Sequence, residues 1–276
     1  MNKKICFYST PYPKVKTYFD MIDAAVKHGI NKIEGFNMLD LSTPDIEHAK
    51  KIKEYADKNG VTFPCLTLYV DLAKMDYDEL RDRIFGYIDV AEVLGAPYIH
   101  HTIVADCGRP EYILSKRDEF YELGLKLVRE VYDYGQTKNI RAVYEEQGFI
   151  FNGVKNFAKF LKDVNRDVGV VIDVANVFDY GDDEIEFVKE FADKAVHVHL
   201  KDALLNDTNE DGKGYITLGK KYYVEVPVGK GIVRTKEAID ILKKAGYDGN
   251  YALEYSLKED NEQEMNEILE YIDSLL

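Results

Sequence analysis

The sequence predicts an α/β fold, and within that class a (β/α)8 TIM barrel; three observations carry the expectation. Short apolar runs alternate with longer amphipathic segments from end to end, the hydrophobic period switching between strand-like and helix-like. Eight such strand and helix pairs can be read, and regular alternation forces parallel strands, for which eight is the closing number. The length, 276 residues, suits one closed domain spanning 1–276.

The strands are expected at 4–8, 32–36, 62–68, 98–103, 140–145, 169–173, 196–200 and 251–254. Between them run helix patterns such as VKTYFDMIDAAVKHG, TPDIEHAKKIKEYADKNG and DELRDRIFGYIDVAEVLG, and DNEQEMNEILEYIDSLL supplies the eighth helix. Ser42 and Thr43 are candidate N-caps ahead of Pro44, and Gly60 and Gly95 stand as C-terminal stops. Asn152, in GFIFNG, is a further candidate cap. A long stretch at about 203–233, rich in Gly, Asn and charge, follows the seventh strand. Its position predicts a lid or substrate loop, or else a surface for oligomer contacts.

A composition of 46% hydrophobic and 31% charged residues without low-complexity tracts excludes a disordered chain. No apolar run approaches the roughly 18 residues of a membrane span, and MNKKICFYST lacks a signal-peptide core, so a cytoplasmic protein with no membrane partner is expected. The formal charge of −14 repels phosphate backbones and argues against nucleic acid as a partner. Cys6, Cys65 and Cys107 are odd in number and widely spaced, which excludes a disulfide framework and a zinc ribbon.

Polar residues that do not suit a buried strand recur at strand C-terminal ends. IRAVYEEQG ends in Glu145 and Glu146, VGVVIDVAN carries Asp173, AVHVHLKD carries His197 and His199, and YALEYS carries Glu254. A lone strand-end carboxylate is ordinarily a cap or ion-pair partner, and a lone strand histidine a hydrogen-bonded core residue. Four neighbouring strands delivering such groups to one rim point instead to a metal site. Carboxylates with one imidazole favour Mn, Mg or Co and can hold Zn. Residues two apart share a face, so His197 and His199 both line the interior, with only His199 needing to reach the metal and His197 a candidate substrate contact. Of His100 and His101, one points inward; counting from the rim favours His100, a candidate substrate contact, with Glu34 a weaker one. Lys201 either touches substrate or forms a rim ion pair with Asp202. The Gly229–Gly231 GKG could offer amides to an anion but reads better as a turn. No Walker loop or GxGxxG is present.

With these candidates placed, the chain resembles the sugar-phosphate isomerase/epimerase family of xylose isomerase-like TIM barrels. The resemblance runs through MIDAAVKHGINKIEGF, LGAPYIHHT, YEEQG, VIDVAN, HVHLKDA, VGKGIV and YALEYS, nearly the whole chain. It implies an enzyme, a metal-dependent sugar isomerase or epimerase of carbohydrate metabolism, with Glu145, Asp173, His199 and Glu254 as metal ligands. Glu146 takes the place of Glu145 if the register slips by one. It further implies that Glu145 and Glu254 move a proton through a metal-stabilised enediolate of an open-chain sugar, and that homo-oligomers are common. Asn176 stands where the epimerases commonly carry a histidine and can still hydrogen-bond a hydroxyl, and a substrate-binding Arg after the seventh strand has no evident counterpart. An inosose-type dehydratase, an endonuclease IV-like phosphodiester hydrolase and a non-catalytic barrel are the competing readings; charge weighs against the hydrolase and the intact quartet against the last.

Overall fold

The computed structural model describes all residues except Met1, Asn2, Ser9, Asp106, Cys107, Asp211 and Lys213, so the reading of Cys107 lies outside the described residues. In chain order the strands are β1 (Ile5–Tyr8), β2 (Gly35–Phe36), β3 (Leu66–Leu68), β4 (Tyr98–His101), β5 (Arg141–Tyr144), β6 (Gly169–Asp173), β7 (Ala195–Leu200), β8 (Asp202–Asn206), β9 (Tyr215–Ile216), β10 (Tyr222–Val226) and β11 (Tyr251–Glu254). The helices are α1 (Tyr18–Lys27), α2 (Ile46–Lys58), α3 (Tyr77–Leu94), α4 (Pro110–Ser115), α5 (Arg117–Thr137), α6 (Val154–Val164), α7 (Val177–Tyr180), α8 (Glu184–Phe191), α9 (Thr235–Lys244) and α10 (Glu262–Leu275). Eight parallel strands follow the order β1-β11-β7-β6-β5-β4-β3-β2. A parallel bridge from Phe7 to Ile33, with Glu34 N donating to Phe7 O at 2.7 Å, joins the two ends, and the sheet is a TIM barrel as expected. No helix of the described residues is long and apolar enough to cross a membrane.

Period-two alternation sorts each strand. Outward residues such as Phe7, Leu68, Ile99, Tyr144, Ile172, Val198 and Leu253 join the main apolar core, which also takes in the buried faces of the helices. Inward residues form separate apolar clusters inside the barrel, Cys65, Val143 and Val171 in one and Cys6, Tyr8 and Ala252 in another. Cys6 and Cys65 are buried free thiols among these inward side chains.

Local chemistry sets the helix ends, twice in a different place from that expected. The cap of α2 is Asp45, whose carboxylate accepts from His48 N at 2.9 Å, not Ser42 or Thr43. Pro44 disfavours helix at the residue before it, and a charged acceptor at Asp45 suits the helix N-terminus better than an upstream hydroxyl. Asn152 is not the cap of α6 either: Gly153, at φ 88°, occupies that position. The Asn152 amide instead donates to Asn176 O at 2.7 Å and accepts from Gly153 N at 2.6 Å, tying the start of α6 to the end of the β6 loop. Gly95 ends α3 in the left-handed conformation, φ 74°.

The stretch after β7 folds into an antiparallel three-stranded sheet in the order β8-β10-β9. Tyr215 pairs with Tyr223 in register and stacks on it at 5.1 Å, leaving Tyr223 buried. The sheet leans on α7 through Asp179, which accepts from Tyr215 Oη at 2.7 Å and, at its carbonyl, from Leu218 N at 2.9 Å. Its base is tied by Asp202: Oδ2 accepts from Gly229 N and Gly231 N, both at 2.9 Å, and Oδ1 from Val233 N at 3.0 Å. A Cβ on Gly231 would lie 2.1 Å from Asp202 Oδ1 and 2.4 Å from Ala203 O, so only glycine lets the chain pass there. The GKG amides are thus spent on the protein's own carboxylate, and the turn reading holds over the anion site. Asp202 therefore makes no rim pair with Lys201.

Asp202→Ala strands these amides and is expected to cost about 2–4 kcal/mol in urea unfolding, Asp202→Asn less. Burial, against the Tyr215 hydrogen bond, raises the Asp179 carboxyl from 3.8 to about 6. The folded state then holds a proton that the unfolded state has released, so stability falls as pH rises from about 4 to about 6 and is level above. In the chelator-treated protein, Asp179→Asn is expected to exceed the parent in stability at pH 6.5 by about 2–3 kcal/mol and to match it at pH 4.

Candidate metal centre

Strand parity brings the inward ends of β5, β6, β7 and β11 to one point. His199 Nδ1 lies 2.9 Å from Glu145 Oε2, 3.2 Å from Glu254 Oε2 and 4.0 Å from Asp173 Oδ2. Each of these residues offers one ligand atom, and the atoms all fall within 4.8 Å of one another. Glu145 Oε2, Asp173 Oδ2, His199 Nδ1 and Glu254 Oε2 are all buried with no well-directed hydrogen bond of their own, although the Lys201 ammonium lies 3.0 Å from Asp173 Oδ2. Three carboxylate oxygens and an imidazole nitrogen converging in a buried space without well-directed hydrogen bonds are costly for a protein to keep, and a divalent cation satisfies all of them together. Tyr144 faces outward to His101, so the next residue, Glu145, turns in. Glu146 falls outside the quartet: it is buried, its two oxygens are unpartnered, and burial with Asp173 and Glu145 nearby raises its carboxyl well above the usual range.

The other edge of His199 explains its orientation. Glu34, fully buried, accepts from His199 Nε2 at 3.2 Å, from His197 Nε2 at 2.6 Å and from the Thr67 hydroxyl. Burial works against ionising Glu34, yet His199 and His197 hold its carboxyl well below the ordinary value. Burial works against charging His199, yet Glu34 and Glu145 raise it well above the ordinary imidazole value, so without an ion Nδ1 carries a proton toward the carboxylates; an ion would displace that proton while Nε2–H stays on Glu34, the tautomer a metal ligand requires. The Tyr8 ring stacks on the imidazole at 4.9 Å and 26°. Glu34, Thr67 and Tyr8 are thus the supports of the site. Sequence reasoning held Glu34 only as a weak substrate contact and passed over the other two, although Tyr8 ends β1 at the same inward parity that Glu254 has in β11, its register partner.

The carboxylates are not equivalent. Burial pushes Glu145 up to about 7 despite the pull of His199. Burial acts the same way on Glu254, but there Lys201 and His199 outweigh it and hold the group down, to about 2. The Lys201 ammonium lies 3.0 Å from Asp173 Oδ2 and 3.1 Å from Glu254 Oε1. His100 points inward as expected, its Nε2 3.9 Å from Glu145 Oε1 and its Nδ1 unpartnered, whereas His101 faces out to Tyr144 and Thr102 O. Burial, with His199 adding to it, lowers His100 to about 3, so its ring is neutral at neutral pH. Asn176 sits beside the quartet, its backbone N donating to Asp173 Oδ1 at 2.9 Å and its side-chain Nδ2 buried and unpartnered. His197 lies beneath Glu34 and is fully buried, below the mouth rather than on it.

Comparison with known proteins agrees with this architecture. No curated protein matches the sequence. Among solved structures, D-psicose 3-epimerase from Clostridium cellulolyticum H10, determined with D-tagatose, superposes with TM-score 0.72 at 14% identity, covering 99% of each chain. A probable 3-DHS dehydratase of petrobactin synthesis from Bacillus anthracis gives 0.74 at 15%, covering 98% of each chain. A xylose isomerase-like TIM barrel protein from Mycobacterium smegmatis in complex with magnesium gives 0.70 at 18%, covering 94% of this chain and 87% of that one. At such identities the likeness is one of fold. The sequence itself matches the profile described as xylose isomerase-like TIM barrel over residues 22–275, nearly the whole barrel with every strand end that forms the quartet. The chain belongs to the xylose isomerase-like TIM barrel family.

Proposed function

We propose that the protein is a divalent-metal-dependent isomerase or epimerase that moves a proton next to the carbonyl of a monosaccharide or sugar derivative. The observation that carries this reading is the convergence of the four buried ligand atoms of Glu145, Asp173, His199 and Glu254. Three carboxylate oxygens and one imidazole nitrogen suit Mn, Mg or Co and admit Zn. The magnesium of the Mycobacterium smegmatis structure and the sugar of the epimerase structure are in keeping with both halves of the proposal. When bound, the ion supplies Lewis acidity to adjacent carbonyl and hydroxyl oxygens, acidifying the C–H between them.

The remaining work falls to side chains. Glu145 and Glu254 reach the centre from β5 and β11, two strands separated by β6 and β7, and divide proton removal and return between them. In the ion-free site their environments push the two carboxyls in opposite directions, Glu145 up and Glu254 down. Neutral His100 and the free Nδ2 of Asn176 bind substrate hydroxyls beside the metal. The substrate contacts expected of Lys201 and His197 are not carried forward, because the first is held by Asp173 and Glu254 and the second by Glu34. The likeness to the probable 3-DHS dehydratase supports a second reading, in which the same proton abstraction is followed by loss of a hydroxyl as water.

Elemental analysis of the purified protein is expected to find about one divalent ion per chain, and none after reconstitution with Mn and Mg would end the metal reading. Glu254→Gln is expected to abolish turnover with the far-UV spectrum and thermal midpoint near those of the parent. Glu34→Gln is expected to weaken metal binding about 10- to 100-fold, through the lost imidazole orientation. In deuterated water, a panel of ketoses, aldoses, their phosphates and cyclic ketopolyols is expected to reveal a substrate that gains deuterium beside its carbonyl. Exchange with retained hydroxyls marks the isomerase or epimerase, and water loss marks the dehydratase.

A further inference from the structure

Lys201 stands immediately after β7, two residues beyond His199, and its side chain is only 10% exposed. Its ammonium contacts Asp173 Oδ2, one of the four converging atoms, and the Oε1 oxygen of Glu254, whose Oε2 faces His199 Nδ1. The lysine thus divides Glu254 between itself and the centre, and shares with the centre an oxygen of Asp173. A charge count gives the arrangement its meaning. Three carboxylates and a divalent ion with a neutral imidazole leave one negative charge among the ligands, which the ammonium balances, with the Glu34 carboxylate a further anion behind His199. Without an ion, the same ammonium relieves the repulsion that would otherwise drive the carboxylates apart. With the ion, two cations share the same acceptors at short range, where an interior of low dielectric leaves their repulsion poorly screened.

We propose that Lys201 is a built-in countercation of the metal centre: it keeps Asp173 and Glu254 in ligating positions before the ion arrives and lowers the affinity for the ion, so that the ion is exchangeable. This rests on the metal reading given under Proposed function. Lys201 is on this account a positioning residue, with its effect seen in binding and in the stability of the metal-free protein.

The test uses the full chain stripped with chelator, Mn titrated by calorimetry at pH 7.5, and thermal midpoints recorded with and without Mn, for the parent and for Lys201→Gln, Lys201→Met and Lys201→Arg. The two neutral variants are expected to bind Mn about tenfold more tightly or better, equivalent to about 1.4 kcal/mol. Their midpoints are expected to fall without Mn and to recover most of the loss with it. Lys201→Arg keeps the charge and is expected to stay within about threefold of the parent affinity. Neutral variants that fold only when Mn is supplied support the proposal, since the ion then replaces the ammonium. Neutral variants that bind Mn no more tightly than the parent, or that do not fold even with Mn, overturn it. A parent that takes up no divalent ion fails the metal reading instead, and the two failures are told apart by the parent titration alone.

Discussion

The buried carboxylate of Glu34 is the interaction on which the site depends. An ionised group with no solvent exposure is tolerated only when its acceptor capacity is filled, and here three donors from β3 and β7 fill it. One of those donors is the Nε2–H of His199, so satisfying Glu34 also settles which nitrogen of His199 is left for the three carboxylates above. The floor of the barrel is in this sense a polar device: it fixes the tilt of the imidazole and the nitrogen that it turns to the rim. Tyr8, stacked on the ring, blocks the remaining rotation.

Above that floor, the carboxylates are differentiated by their neighbours more than by their distance from one another. Glu254 has an ammonium at one oxygen, whereas Glu145 has the neutral ring of His100 at 3.9 Å and no lysine or arginine within 4.0 Å among the described residues. Two chemically identical side chains therefore start, in the ion-free site, from opposite protonation tendencies.

Much of the fold was legible because barrels announce themselves through period: every expected barrel strand coincides with an observed one. The two shortest, β2 and β3, lost length because Ile33 and the Lys32–Thr62 pair form isolated bridges outside regular ladder. The inward position of the four ligand candidates also followed from parity, since a strand end that breaks an apolar run with a charge has only the interior or the rim to occupy. What could not be read were contacts between residues distant in sequence. Glu34 meets His197 across 163 positions, and Asp202 meets the glycine loop across 27 to 31. The caps misplaced at Ser42, Thr43 and Asn152 belong to a different class: several adjacent residues could each cap, and backbone geometry at Pro44 and Gly153 chose among them.

The knot at Asp202 has a consequence for how such a barrel can change over generations. Because one carboxylate gathers the outgoing chain at Ala203 and the returning chain at Gly229, Gly231 and Val233, the segment between them leaves and re-enters the barrel at nearly the same point. Closing a loop whose ends are already joined costs little more when the loop lengthens. The segment can therefore be rewritten, shortened or exchanged without disturbing strand register or the ligand candidates beneath, which makes it the natural place for such a barrel to acquire a new cover.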